Sequence, residues 1–186
     1  MTGLAYPQVH IAIRTLIALV FLLAAIGKAR NFVAFQGVLG NYRLLPQSLV
    51  VPAAVILPPL EAAIAAGLLT GLAIPWPVAA AMFLLTLFAG AMGINILRGR
   101  RHIDCGCFQS ALKQHLSWTL VVRNAILVLL LQMALGPMPV IAAAWTTIEG
   151  LLVGGVLFVI LQSLDILWSI VPAWRIARRQ EIAVDP

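Results

Sequence analysis

Charge is scarce in this chain. Of its 186 residues, 10% are charged and only six are acidic. Soluble domains carry about a quarter charged residues, and roughly half of their residues are apolar. Cysteine is scarcer still: there are two, Cys105 and Cys107, so no disulfide framework staples the fold. Polar linkers, internal repeats and low-complexity stretches are missing as well, which excludes a chain of separate domains or a disordered regulator. What fills the sequence instead is apolar: 62% of residues are hydrophobic and the mean hydropathy is +1.04. A water-soluble globule of 20.0 kDa cannot hide that much apolar surface, so a soluble enzyme is excluded. The net charge of +6 does not point to nucleic acid in so apolar a chain. It fits lysines and arginines set beside lipid headgroups.

A helix crosses the hydrocarbon core in about 20 residues. Five runs qualify: 9–27, 49–73, 76–97, 116–135 and 148–172. They are continuously apolar rather than alternating, so they are helices and not barrel strands. The expected fold is an all-α bundle of five transmembrane helices, with residues 1–186 forming a single domain. No Lys or Arg precedes the first run, whereas Lys28 and Arg30 follow it. A cleaved signal peptide has the opposite order, so the first run is expected to be retained.

Basic residues fall on one side of such a bundle. Lys28, Arg30 and Arg43 lie between the first two runs, Arg98, Arg100, Arg101 and Lys113 between the third and fourth, and Arg175, Arg178 and Arg179 in the tail. The positive-inside rule then places the N-terminus outside and the C-terminus inside, in a bacterial inner membrane. Residues 28–45 space Phe32, Phe35, Leu39 and Tyr42 three and four apart, the pattern of a helix lying in the membrane interface. A loop packing its aromatics on the bundle would use the same spacing. Residues 137–147, ending near Trp145, read as a cap in the outer interface.

Two features carry chemistry. The first is Asp104-Cys105-Gly106-Cys107-Phe108. Glycine between two thiols permits the tight turn that brings both sulfurs together. So small a ring is strained and easily reduced, and it removes little chain entropy. The pair therefore reads as a redox-active dithiol. It is open to two other readings: a metal site completed by His102 or His115, and inert thiols in a reducing loop.

The second feature is intramembrane charge. Arg14, Glu61, Arg123 and Asp165 sit inside the spans, accompanied by Asn95, Asn124, Gln132, Glu149 and Gln162. A charge at mid-bilayer costs ~2.5–3.5 kcal/mol even on the lenient scale, so pairing is expected. Counting depth from the basic side at 1.5 Å per residue places Arg14 and Glu61 both ~20 Å in, and Arg123 and Asp165 both ~10 Å in. The depths predict the pairs Arg14–Glu61 and Arg123–Asp165. Structural support is one role for them; a proton or electron relay, or a quinone site, is the other. Pro58-Pro59 removes two backbone donors just before Glu61 and should kink that helix.

These residues resemble those of the MauE family, membrane proteins of methylamine-utilisation clusters, which are distantly similar to DoxX-type proteins. The resemblance rests on Lys28, Tyr42-Arg43-Leu44-Leu45-Pro46, Leu57-Pro58-Pro59-Leu60-Glu61, Asn95-Ile96-Leu97-Arg98-Gly99-Arg100, Asp104-Cys105-Gly106-Cys107-Phe108 and Arg123-Asn124. One departure is Gln109, where the family usually has Gly. The resemblance implies a part in processing, transport or maturation of the β subunit of methylamine dehydrogenase. That client is a periplasmic, disulfide-dense protein carrying a tryptophan-derived quinone. A thioredoxin-like protein of the MauD type is the implied partner, with membrane lipid the surroundings and no role for nucleic acid. Cys105 and Cys107 would then be the exchanging pair of a thiol–disulfide oxidoreductase component, and a quinone stays open as cofactor. Charge counting sets the thiols on the cytoplasmic face, opposite the client.

Overall fold

The computed structural model describes residues 7–71, 75–100, 116–135 and 144–184, with side chains of the last segment from 145 to 167. Among the described residues there are six helices and no strands: α1 (Pro7–Arg30), α2 (Phe32–Tyr42), α3 (Gln47–Thr70), α4 (Pro75–Leu97), α5 (Trp118–Met133) and α6 (Ala144–Val184). α1, α3, α4 and the Trp145–Leu167 part of α6 are long and apolar enough to cross a membrane. α5 is apolar but has 16 residues, ~24 Å of helix. The result is a multi-pass, all-α membrane bundle.

The apolar runs located the helices; capping chemistry sets their ends. α1 and α4 both begin with proline, whose missing N–H would have no intrahelical partner there. α3 stops at Gly71, which takes φ 72° and donates its N–H to the Gly67 carbonyl at 3.1 Å. α4 closes with two bonds, Gly99 N–H to Ile96 O at 3.0 Å and Arg100 N–H to Asn95 O at 2.9 Å. With Gly99 at φ 74°, this is a Schellman cap. The run Asn95–Arg100 is therefore a helix stop. Arg43 ends α2 at φ 48°, a left-handed conformation held by a non-glycine residue.

α1 lies at the centre. It packs against α3 on one side and α6 on the other, while α4 packs against α5. One apolar core joins α1, α3, α4 and α5 through Ile17, Leu68, Val78, Ala81 and Leu131, all buried. α6 approaches α1 through Gly150 and Gly154: a Cβ on Gly154 would stand 2.6 Å from the Ala12 carbonyl oxygen. Backbones meet this closely in lipid only where small residues repeat every four positions.

α2 does form a helix over the aromatic stripe, and the stripe turns inward. Phe35 and Tyr42 are buried. Tyr42 joins Met92, Ile96, Leu116 and Leu120 in a second apolar cluster at the foot of α4 and α5. α2 thus occupies the space below α1. That placement corrects the depth count. Glu61 lies 14 positions into α3, ~21 Å from its start, yet it meets Lys28, two positions from the end of α1. The ends of the apolar runs do not share one plane, because α3 continues below α1 alongside α2.

Further boundaries shift. α3 ends at Thr70 rather than 73. α6 begins at Ala144, with Trp145 exposed on its first turn, and continues through Pro172 to Val184. The remainder of the expected cap, 137–143, lies outside the described residues.

A buried charge cluster as candidate functional site

α3 carries the only acidic residue of its sequence, Glu61, fully buried. Two of its three prolines, Pro58 and Pro59, are accommodated inside the helix just before Glu61. A lone carboxylate in that position would be prohibitively unfavourable, and Lys28 meets it: the ammonium donates to Glu61 Oε1. Lys28 is itself 3% exposed. Its Nζ stands 4.8 Å from the Phe88 ring centre and 5.3 Å from that of Phe35. Two aromatic faces supply the remaining negative potential around the ammonium, each worth up to about 2 kcal/mol when desolvated. Lys28 is therefore an interior residue supported by α2, α3 and α4. Counting it among headgroup-facing charges was wrong, which leaves nine of the twelve basic residues in that count.

The expected Arg14–Glu61 pair is not what orders these side chains. Arg14 lies toward the other end of α1 and caps α3: its Nε and Nη2 donate to the Leu68 carbonyl at 3.0 and 2.7 Å. The last carbonyls of a helix have no intrahelical donor and carry its negative dipole end, so a guanidinium suits them. Gly71 makes room, since a Cβ there would come within 2.5 Å of Nη2.

The second expected pair is present. Arg123 of α5 donates through Nη1 to Asp165 Oδ2 of α6, with both side chains largely buried. Asn124 beside it is also buried, as is Asn95, whose amide donates to Ala91 O at 3.0 Å.

These groups converge. A cavity of about 20 Å³ lies between the helices. Lys28, Glu61, Arg123 and Asn124 line its polar part, and Val20, Phe21, Ala24, Leu85 and Phe88 its apolar part. Both ion pairs therefore contribute to one chamber. Nearly all of its surface is apolar, so the polar groups stand at its edge and do not fill it.

Cys105, Cys107, His102 and His115 lie outside the described residues. What is described is how the flanking chain is held: Arg100 by the α4 cap, and Leu116, buried, just ahead of the extended Ser117 that precedes α5. Sequence reasoning missed Lys28 as a core residue, and with it Phe35 and Phe88. A lysine at the end of an apolar run looks the same whether it faces headgroups or a buried carboxylate. It also passed over Gly150 and Gly154, where the four-residue spacing was the available signal.

Fold and site together define a polytopic α-helical membrane protein whose interior is organised by two ion pairs. Comparison with known proteins makes this specific. The family model described as methylamine utilisation protein MauE matches residues 7–138, and the chain belongs to the MauE family. It is 46% identical to the methylamine utilization protein MauE of Paracoccus denitrificans, over 88% of this chain and 89% of the relative. It is 41% identical to the MauE of Paracoccus versutus, over 87% and 88% respectively. To the MauE of Methylorubrum extorquens it is 44% identical over 67% of each chain. No solved structure matches it.

Proposed function

We propose that this protein is a membrane accessory factor of methylamine utilisation. Its task is the processing, transport or maturation of the methylamine dehydrogenase β subunit, and its chemistry is thiol–disulfide exchange through Cys105 and Cys107. In that reaction one thiolate attacks a partner disulfide, forming a mixed disulfide and releasing one partner thiolate. The second cysteine then attacks, closing the Cys105–Cys107 bond and releasing the other. Two electrons pass to the partner, and the reverse sequence returns them. A thioredoxin-like protein of the MauD type is the fitting partner, and the N-terminus faces out with the basic face inward.

The observation that carries the reading is the convergence of the family-like residues. Lys28, Glu61, Asn95, Arg123 and Asn124 are scattered over 97 positions, yet all are buried inside one bundle. Asn95 and Arg123 stand close to the ends of α4 and α5 from which the cysteine-bearing connection departs. A polar core next to a dithiol connection suits a protein whose membrane part presents the thiols. The test is the double replacement Cys105→Ser/Cys107→Ser in a host growing on methylamine. Membrane insertion should persist while β-subunit maturation is lost, and the single variants should accumulate a mixed disulfide. Full maturation with the double variant would make the protein a scaffold that recruits its partners without exchange.

A further inference from the structure

α1 packs on α3 and α6, and α4 packs on α5; where these two groups of helices meet, the fit is uneven. Beside the α3–α4 turn they close up. A Cβ on Gly67 would stand 2.6 Å from Cγ of Pro77, and Leu68, Val78 and Ala81 are buried. Further along, at the level of Glu61, they part and leave the recess of about 20 Å³. Its walls are Val20, Phe21 and Ala24 of α1 and Leu85 and Phe88 of α4, and the recess is open on one side. All five wall residues lie inside helices long and apolar enough to span the membrane, so the opening gives onto hydrocarbon.

The chemistry of the recess selects its occupant. A buried water needs two to four polar partners. The wall is almost wholly apolar, and the charged groups at its edge are engaged in the Lys28–Glu61 and Arg123–Asp165 pairs. A sealed apolar cavity can stay empty, but this one is open to a liquid of apolar chains. Left empty, its lining would forgo dispersion contacts that such a chain supplies without desolvating any polar group.

We infer that the recess takes the end of one phospholipid acyl chain. A water-sized body occupies roughly 10–15 Å³ of such space and a methyl group somewhat more, so the chain tip enters and the remainder stays in the bilayer. Phe88 is shared between this recess and Lys28, whose Nζ lies 4.8 Å from the ring centre. The chain tip therefore completes the apolar wall beside the Lys28–Glu61 pair. The inference stands whether or not Cys105 and Cys107 exchange disulfides.

Photolabelling of the full chain tests it, in lipid nanodiscs whose phospholipid carries a diazirine at the end of one acyl chain. Phe83 and Leu87 of α4 are 65% and 51% exposed and serve as lipid-facing controls, whereas Val20, Ala24 and Leu85 are buried. Adducts are expected on both sets. Ala24→Val fills the recess, and labelling of Leu85 should then be lost while that of Leu87 stays. Leu85→Phe fills it from the opposite wall and should clear Val20 and Ala24 in the same way. Labelling confined to Phe83 and Leu87 in the wild-type protein overturns the inference, and this arm decides even if neither variant folds. Wall labelling that persists in a folded filling variant also overturns it. Displacement of the wall adducts by an added isoprenoid quinone would assign the recess to another occupant and overturns it as well.

Discussion

Replacing Lys28 by Met keeps the length and apolar stem of the side chain and removes only the charge. Glu61 is 0% exposed, so its carboxylate loses the ammonium that faces it without gaining contact with bulk solvent. In soluble proteins, leaving one member of a buried pair costs about 3–5 kcal/mol. In bilayers the unfolded reference also finds partners, and single hydrogen bonds average only ~0.6 kcal/mol. The contacts of Lys28 with Phe88 and Phe35 add to the loss, because a thioether replaces an ammonium over two rings. The expected destabilisation lies between the two limits, about 2 kcal/mol. Reversible unfolding in mixed detergent micelles reads it. Glu61→Gln alone should also destabilise, and Lys28→Met/Glu61→Gln should cost less than the sum of the singles by about 1 kcal/mol or more. Additive single costs would show that the two side chains do not stabilise one another, and the charge cluster would lose its role as the organiser of the bundle.

Other expectations follow from the same geometry. Gly154→Leu drives a side chain into the Ala12 carbonyl and the Thr15 side chain, and overpacking of this kind costs about 1–3 kcal/mol; a crosslink between cysteines engineered into α1 and α6 should form less readily. Arg43→Gly relieves a left-handed residue and should raise stability by about 1 kcal/mol, read as a higher unfolding midpoint.

Apolar runs made most of the helices legible, because length and continuity suffice to mark a helix in lipid. The Arg123–Asp165 pair was legible for a related reason: α5 and α6 are close to level where they carry those side chains. The same depth count failed at Arg14 because the relative height of α1 and α3 depends on α2, whose inward-facing stripe is a tertiary choice. Phe32, Phe35, Leu39 and Tyr42 would be spaced identically on a helix floating in the interface. Phe88 stood in a run of leucines with nothing to single it out, and its role exists only because Lys28 reaches across to it. Helix ends were legible to within a few residues where an apolar run stopped at glycine, as at Gly71 and Gly99, and less so where a helix continued past Pro172 to Val184.

The glycine contact between α1 and α6 bears on how the chain assembles during synthesis. Ala12 and Gly154 are 142 positions apart, and the central helix is the first of the six to leave the ribosome. Its surface from Gln8 to Thr15 must wait, facing lipid or the insertion machinery, until the last helix arrives. α5, the preceding helix in the chain, offers α6 chiefly the Arg123–Asp165 link, so α6 finds its place by pairing with a segment made long before. Assembly of the membrane part therefore closes like a clasp. A ribosome stalled after α5 would leave a bundle with an open seam along α1, and a separately synthesised α6 should be able to fill it.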